Sequence, residues 1–354
     1  MRSKILASLA LASTASAAYT LKDDLTYKNF FSAFDFFSGP DPTNGFVQYQ
    51  TRDAAVKSNL VGYLNDTQSV FMGVDHSTKD PKGRASVRLE SKKTWNHGLL
   101  LADIRHMPDS ICGSWPAFWM LGMGKDGKAV WPSAGEIDIL EGVNAETSNA
   151  VTLHTSSGCA IDKNNASQGS TAAGSPAFMG SITTPNCDVK AQGQGDNVGC
   201  SIKAPTNRGL ATYGTDFNSA GGGVYATEWT PEGITVWFLP RNSTVTQKLA
   251  SPSSNSTAPD PSSFGTPLAR FSGTGCDYTK SFDSLKIIFN TAFCGDWAGK
   301  VWDEGGCAKK TGAKTCQEYV MNNPEAFKDA YWEVAGLRFY EGGSKGRRSV
   351  RRRY

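Results

Sequence analysis

Short stretches in which apolar and polar residues alternate recur along most of the chain. They are rich in β-branched and aromatic residues and are bounded by Gly, Pro, Asn or Ser, a pattern that predicts β-strands. The predicted strands are residues 45–49, 70–74, 86–90, 99–105, 117–121, 136–141, 150–154, 223–228, 233–239, 284–290 and 332–340. Helical periodicity is scarce, and residues 316–330 are the best helical candidate. The chain is therefore all-β, and we expect two packed antiparallel sheets.

Three further segments change this picture only in detail. Residues 27–37 hold five Phe and one Tyr, which we expect to pack over the core. Residues 156–209 and 251–265 are rich in Gly, Ser, Asn or Pro and are predicted to be long loops. Loops of this length are usually functional or covalently pinned, and three cysteines in the first loop favour pinning.

The run GEIDILEG at residues 135–142 has an order that a regular strand cannot satisfy. Successive side chains of a strand point to opposite faces, so Glu136 and Asp138 share one face and Glu141 would fall on the other, among the aliphatic residues. A buried carboxylate there would cost several kcal/mol or lose its charge. A one-residue β-bulge at residues 139–140 removes the conflict, because it rotates Glu141 back beside the other two acids. The sequence therefore predicts three acids in a row on one face.

Such a row repels itself, so chemistry on a neutral substrate explains it better than stability does. Two carboxyl groups that flank one bond are what glycoside hydrolysis requires: one donates a proton to the leaving oxygen and the other attacks or activates water. The alternative is a solvent-facing strand edge whose acids serve solubility. Flanking Trp119 and Trp131, and the small residues that lead into the strand, favour the floor of a cleft.

The ends of the chain and its cysteines indicate export. Residues 1–18 combine Arg2 and Lys4 with an apolar run and an Ala-x-Ala type cleavage site, which predicts a secretory signal peptide. No later stretch reaches the roughly 18–20 apolar residues of a transmembrane helix. Eight cysteines in an exported chain favour disulfides over zinc or thiol chemistry, with the connectivity left open. Glycosylation sequons begin at Asn65, Asn165, Asn242 and Asn255.

The net charge of +3 conceals an acidic body. Eight basic residues lie in the signal and in the tail after Gly343, and without them 28 bases face 33 acids, a balance of about −5. The basic surplus therefore does not indicate nucleic acid as a partner. We expect residues 342–354 to be a disordered basic tail.

Six segments of the chain resemble glycoside hydrolase family 16, in particular the fungal laminarinase-like endo-1,3(4)-β-glucanases. They are RHMP at 105–108, CGSWPAFW at 112–119, WP at 131–132 leading into 135–144, TLHT at 152–155, VWFLPR at 236–241 and FCGDWAG at 293–299. The E-x-D-x-x-E form of the acidic motif resembles the 1,3-glucan-cleaving members, whereas E-x-D-x-E is typical of lichenases and transglycosylases.

The resemblance implies a concanavalin A-like β-jelly-roll sandwich with a concave substrate cleft, formed by a catalytic domain over residues 19–341. It implies a secreted, endo-acting retaining hydrolase of β-1,3 and mixed 1,3-1,4 glucans. By the same resemblance Glu136 is the nucleophile and Glu141 the acid/base. Asp138, on the same face between them, is expected to hydrogen-bond to the nucleophile and to tune both pKa values.

Aromatic residues in the matching segments are candidates for holding sugar rings, because Trp offers a wide apolar face to a pyranose. We expect Trp119, Trp131 and Trp297 to line subsites, and Trp115 and Trp237 to belong to the core. His154 is expected in the cleft, with a hydrogen bond near Glu141. Asn144 is a weaker candidate for substrate binding, as are Arg105 and His106.

Two other functions keep part of this pattern. A cell-wall glucan transglycosylase uses the same covalent intermediate with a sugar as acceptor, and a non-catalytic glucan-binding sandwich keeps the Trp platforms but has no reason to keep the acids. The expected partner is a β-glucan polysaccharide, with no nucleic acid, no membrane span, no cofactor and no metal ion at the site, and a structural calcium ion elsewhere is left open. The protein is expected to act as a monomer.

Overall fold

The computed structural model describes residues 19–161, 177–207, 209–250 and 258–342. The predicted signal segment, most of the basic tail, two of the four sequons and parts of both predicted loops lie outside these residues. The strands of the described part are β1 (Tyr19–Thr26), β2 (Phe34–Phe37), β3 (Val47–Tyr49), β4 (Val61–Leu64), β5 (Ser69–Met72), β6 (Arg84–Ser86), β7 (Arg88–Ser91), β8 (Gly98–His106), β9 (Ser114–Gly122), β10 (Glu136–Glu141), β11 (Ala150–His154), β12 (Ser181–Thr184), β13 (Cys200–Lys203), β14 (Gly223–Thr230), β15 (Gly233–Pro240), β16 (Ala269–Ser272), β17 (Leu285–Phe293) and β18 (Trp332–Gly342).

These strands form two eight-stranded antiparallel sheets. The acid-bearing sheet has the order β12-β13-β11-β10-β9-β17-β7-β2, so the acidic strand β10 lies inside it, between β9 and β11. The backing sheet has the order β16-β15-β14-β8-β18-β5-β4, with β1 paired to β18. The short strands β3 and β6 pair in parallel beside them.

The main core lies between the two sheets. Phe118, Ile137 and Phe289 of the acid-bearing sheet meet Tyr225 and Phe339 of the backing sheet in one buried cluster. Each such side chain contributes about 1.5–3 kcal/mol by leaving water. The other face of the backing sheet is also covered, because it packs against a helix and a loop. The other face of the acid-bearing sheet carries the acids, and we call it the open face.

Helices are short and lie in the connections. They are α1 (Arg52–Lys57), α2 (Gly214–Ser219), α3 (Thr244–Ala250), α4 (Tyr278–Ser281), α5 (Cys307–Thr311) and α6 (Cys316–Asn322). The predicted helix 316–330 is correct only for its first half. It ends at Asn322 because residue 323 precedes Pro324, and a residue before proline avoids the helical conformation. A single 3₁₀ turn, Pro324–Phe327, follows.

Each predicted strand contains part of an observed strand, and the bounds predicted for β10 and β11 match those observed. The prediction 86–90 overlaps both β6 and β7, and six strands were not predicted: β1, β2, β4, β12, β13 and β16. β12 and β13 lie inside the first predicted loop. Phe30, Phe31 and Phe34 are buried in the core, as expected for the aromatic segment, although its end forms β2.

All eight cysteines are paired, which confirms the disulfide prediction. The pairs are Cys112–Cys307, Cys159–Cys276, Cys187–Cys200 and Cys294–Cys316. Two pairs pin the first predicted loop, and the other two surround a separate small core beside the end of β17. Four disulfides fit an oxidising compartment.

Among the described residues, no helix is both long enough and apolar enough to cross a membrane.

Candidate active site

Strand β10 carries the predicted bulge. Opposite β9, Asp138 pairs with Trp119 and Leu140 pairs with Phe118, so one extra residue, Ile139, stands between two consecutive pairs. The register with β11 shifts over the same interval. Ile139 and Leu140 are consequently both buried in the core between the sheets. The parity argument is confirmed: the aliphatic residues of β10 face the core and its acids face the other way.

A buried asparagine outside the motif holds the bulge. Asn149 is fully buried, its Oδ1 accepts a hydrogen bond from the Glu141 backbone N–H at 2.8 Å, and its Nδ2 donates to the Ile139 carbonyl at 2.8 Å. These are the backbone groups that a bulge frees from the strand ladder. The Asn149 backbone N–H in turn donates to Thr212 Oγ1 at 3.1 Å. Asn149 therefore fixes the backbone from which the Glu141 side chain extends.

Each acid of the row has its own partner. The Trp131 side chain hydrogen-bonds to Glu136, and Glu136 and Asp138 hydrogen-bond to each other. The indole Nε1 of Trp115 donates to Glu141 Oε1 at 2.9 Å. A carboxyl–carboxyl hydrogen bond requires that one of the two groups keep its proton.

His154 stands opposite Glu136 in the β10–β11 register. Its Nε2 lies 3.1 Å from Asp138 Oδ2, so its closest acid is the middle one and not Glu141, where we had expected its hydrogen bond. Asp138 is only 1% exposed, so its buried Oδ2 faces this imidazole and not solvent.

The surroundings favour the neutral forms of the acids. Burial, followed by the charge of Asp138, raises the pKa of Glu136 to about 8, although His154 and the Trp131 hydrogen bond oppose the rise. Burial also raises the pKa of Glu141 to about 7, against the hydrogen bond from Trp115. Burial and the charge of Glu141 raise the pKa of Asp138 well above its usual range. The row therefore holds at least one proton near neutral pH, and its members titrate together.

Trp119 lies next to the middle acid on the open face. It pairs with Asp138 across the strands, and its Nε1 donates to Asn290 Oδ1 at 2.7 Å. The guanidinium of Arg88 lies 5.0 Å from the centre of its ring. The ring is thus fixed by a hydrogen bond and a cation–π contact, which suits a rigid platform for a sugar ring.

Trp131 and Trp297 also lie near the acids. Trp131 is 41% exposed, and its contact with Glu136 places it at the first acid. Trp297 lies in the helical turn Gly295–Gly299, and its ring packs edge-on against Trp115 at 5.7 Å. The assignment of Trp115 to the core was wrong, because its indole contacts both Glu141 and Trp297. Trp237 is buried in the covered face of the backing sheet, as predicted.

Asn144 does not contact the open face. It is buried, its Oδ1 accepts from the Gly113 backbone N–H at 2.7 Å, and its Nδ2 donates to the Ala298 carbonyl at 2.9 Å. Direct substrate binding by Asn144 does not fit this geometry, since the carboxamide is committed on both sides. It instead ties the turn that carries Trp297 to the start of β9.

The remaining candidates lie elsewhere. Arg105 and His106 belong to β8 of the backing sheet, and the His106 ring stacks on Tyr331 at 3.7 Å. Among the described residues, Glu136, Asp138 and His154 offer potential metal-ligand atoms within 4.8 Å of one another. The pairing of β10 with β11 already accounts for this closeness, since His154 stands opposite Glu136, and we assign no metal ion to the three residues.

Sequence reasoning missed two residues of the site. Trp115 has the same parity as Trp119 on β9, which is a signal that could have placed it on the open face. Asn149 carries no such signal, since its role depends on a bulge in a neighbouring strand.

Residues 34–340 match a family described as the XgeA-like, catalytic GH16 domain. The endo-1,3(4)-β-glucanase of Arthroderma benhamiae is 45% identical over 337 residues, which are 95% of this chain and 67% of that protein. Other curated relatives, from Aspergillus species, are longer, and the chain spans about half of their length.

Two solved structures extend the comparison. Laminarinase 16A from Phanerochaete chrysosporium, solved with β-glucans in its donor and acceptor sites, is 39% identical with a TM-score of 0.78, over 92% of this chain and 100% of that one. A structure described as an elongating GH family 16 β-1,3-glucosyltransferase is 42% identical with a TM-score of 0.76, over 91% of this chain and 100% of that one. The jelly-roll expectation is confirmed by these neighbours.

Proposed function

Because this chain belongs to glycoside hydrolase family 16, we propose that it is a retaining endo-1,3(4)-β-glucanase in which Glu136 is the nucleophile and Glu141 the acid/base. The observation that carries the proposal is the bulged row of three acids on the open face, each held by a different partner. A purely glucan-binding protein has no use for such a row, because its members raise one another's pKa.

The geometry supports a division of labour among the acids. Glu136 attacks the anomeric carbon while the glycosidic C–O bond breaks, and Glu141 gives its proton to the leaving oxygen. Water then attacks the same carbon, Glu141 takes the proton of that water, and the bond to Glu136 breaks with the original configuration restored. Asp138 hydrogen-bonds to Glu136, so the two carboxyls share a proton, and Glu136 becomes the nucleophile when that proton lies on Asp138.

The relatives support β-1,3-linked glucan as the substrate, because several are named endo-1,3(4)-β-glucanases and one structure holds β-glucans. Trp119, Trp131 and Trp297 supply the sugar platforms. Within this proposal residues 1–18 are a signal peptide, residues 19–341 the catalytic domain and residues 342–354 a basic tail. The protein is then a secreted monomer.

A specific neighbour favours a second candidate. The structure described as an elongating glucosyltransferase is as similar to this chain as the laminarinase is, so a sugar hydroxyl in place of water has to be considered as the acceptor.

One experiment tests both candidates. The purified protein is incubated with laminarin, lichenan, barley β-glucan, cellulose or agarose, and with laminari-oligosaccharides of a single length. Hydrolysis of β-1,3-glucan predicts new reducing ends in proportion to bonds cleaved, with Glu136→Gln as the inactive control. Redistribution of chain lengths without new reducing ends would show that the protein is a transglycosylase and not a hydrolase. No reaction with any β-glucan would contradict both candidate functions.

A further inference from the structure

Two of the sequons lie in the described residues, and both asparagines are exposed. Asn65 lies in the four-residue turn that joins β4 to β5, where Leu64 pairs with Ser69. Asn242 follows β15 and precedes α3. Exposure alone therefore does not distinguish them.

The surroundings of Asn65 do distinguish it. Tyr63, two residues earlier, is 50% exposed, which is unusual for a large aromatic side chain. The Tyr63 ring meets Tyr27 edge-on at 5.3 Å and Phe31 at 5.2 Å, so its position is set by two neighbours. The Tyr27 hydroxyl donates a hydrogen bond to Asn65 Oδ1.

These contacts hold the carboxamide of Asn65 beside an exposed aromatic ring. Its Oδ1 is occupied, whereas its Nδ2 makes no hydrogen bond with any of the described residues. Nδ2 is the atom that N-glycosylation modifies. Thr67 completes the Asn-x-Thr sequon within the same turn.

We propose that Asn65 is N-glycosylated and that its first N-acetylglucosamine packs against the ring of Tyr63. In the attachment step, C1 of the sugar leaves the phosphate oxygen of a lipid pyrophosphate-linked oligosaccharide and bonds to Nδ2, which loses a proton. The apolar C–H face of the sugar then covers the exposed ring, in the way that pyranoses pack on aromatic side chains. The glycan thereby stabilises the β4–β5 hairpin.

Asn242 provides a matched comparison within the same molecule. It is exposed and followed by Ser243 and Thr244, so its sequon is complete. The residue two positions before it is Pro240, which has no aromatic face. A glycan at Asn242 has no corresponding ring to cover.

The full chain is secreted from a yeast host, and its glycans are trimmed by an endoglycosidase that leaves one N-acetylglucosamine. Peptide mass spectrometry then measures occupancy at both sites. Melting temperatures are compared for the parent, Asn65→Gln, Asn242→Gln, Tyr63→Ser and the Tyr63→Ser/Asn65→Gln double variant. The same set is produced in a bacterial periplasm, where disulfides form and no glycan is added.

The proposal expects Asn65 to be occupied and Asn65→Gln to lower the melting temperature by roughly 1–3 °C, a shift typical of a single surface contact. This loss should be smaller in the Tyr63→Ser background and in the periplasmic proteins, where Asn65→Gln disturbs only the Tyr27 hydrogen bond, and Asn242→Gln should cause none. An unmodified Asn65 in the secreted protein would overturn the proposal. An Asn65→Gln effect that is zero in the secreted protein, or that is equally large without Tyr63 or without glycan, would overturn it equally.

Discussion

Replacing Asn149 by alanine removes the side chain that holds the β10 bulge. The change deletes two hydrogen bonds of 2.8 Å from a fully buried position and leaves the Ile139 carbonyl and the Glu141 N–H without partners. A hydrogen bond contributes about 1 kcal/mol net, and an unsatisfied buried polar group costs about 1–3 kcal/mol. We therefore expect the free energy of unfolding to fall by roughly 2–5 kcal/mol.

The loss of activity should exceed what lost stability explains. Glu141 extends from the released backbone, and a misplacement of about 1 Å at a reacting group can reduce the rate by roughly 10²-fold. Because Glu141 supplies the proton to the leaving oxygen, kcat should fall more on glucan than on an aryl glycoside with a good leaving group.

Asn144→Ala is the matched control. Asn144 is also buried and also makes two side-chain hydrogen bonds to backbone groups, at 2.7 and 2.9 Å, but it holds the turn that carries Trp297. The fall in its free energy of unfolding should be similar to that of Asn149→Ala, while its kinetic effect should appear mainly in KM. Chemical denaturation and steady-state kinetics at a temperature where both variants are folded measure the two effects. Equal kinetic profiles for the two variants, or full activity in Asn149→Ala, would refute the positioning role.

Three further predictions concern the acids themselves. Glu141→Ala should lose most activity on glucan but regain turnover on an activated aryl glycoside when azide is added, since only acid/base catalysis is missing. Failure of every small nucleophile to restore turnover would argue against the acid/base role of Glu141. The folded-state pKa values of Glu136 and Glu141 are raised to about 8 and about 7, so the folded protein retains protons that the unfolded chain releases. Its melting temperature should therefore fall as pH rises from about 5 to about 8, and it should fall less steeply in Glu136→Gln. Parallel curves of melting temperature against pH for the two proteins would contradict this. Deleting Leu140 should keep the three acids on one face and leave some activity with altered linkage preference. Inserting one residue beside Leu140 should instead turn Glu141 into the core and abolish activity and most of the stability. If circular dichroism and laminarin hydrolysis showed that the insertion is tolerated and the deletion destroys the fold, the parity argument would be refuted.

The sequence predicts those parts of the fold that depend on local pattern. The bounds of β10 and β11 and the position of the bulge follow from alternation, because a buried acid is too costly to accept. The six unpredicted strands are mostly short or polar, and their pairing is decided by neighbours distant in sequence. β1, for example, carries several charged residues and is a strand because it pairs with β18.

The errors at the site arise in the same way, because contacts between residues distant in sequence decide the position of a side chain. A tryptophan lies in the core more often than it contacts a ligand, which favours the core for Trp115, but its parity with Trp119 puts it on the open face. Asn144 lies in a segment that resembles the family, which favours substrate binding, but its hydrogen bonds show that it supports a turn. Asn149 could not be found at all from sequence, since its partners are backbone groups exposed only by the bulge.

Trapping the covalent intermediate tests the central claim most directly. A 2-deoxy-2-fluoro laminaribioside with a good leaving group slows both chemical steps yet still allows the first, so a glycosyl-enzyme accumulates. The account predicts one added disaccharide per protein, located by peptide mass spectrometry on Glu136, and no labelling of Glu136→Gln. A label on Glu141 would reverse the two roles, and an absence of any label on an enzyme that hydrolyses laminarin with inverted configuration would contradict the mechanism itself.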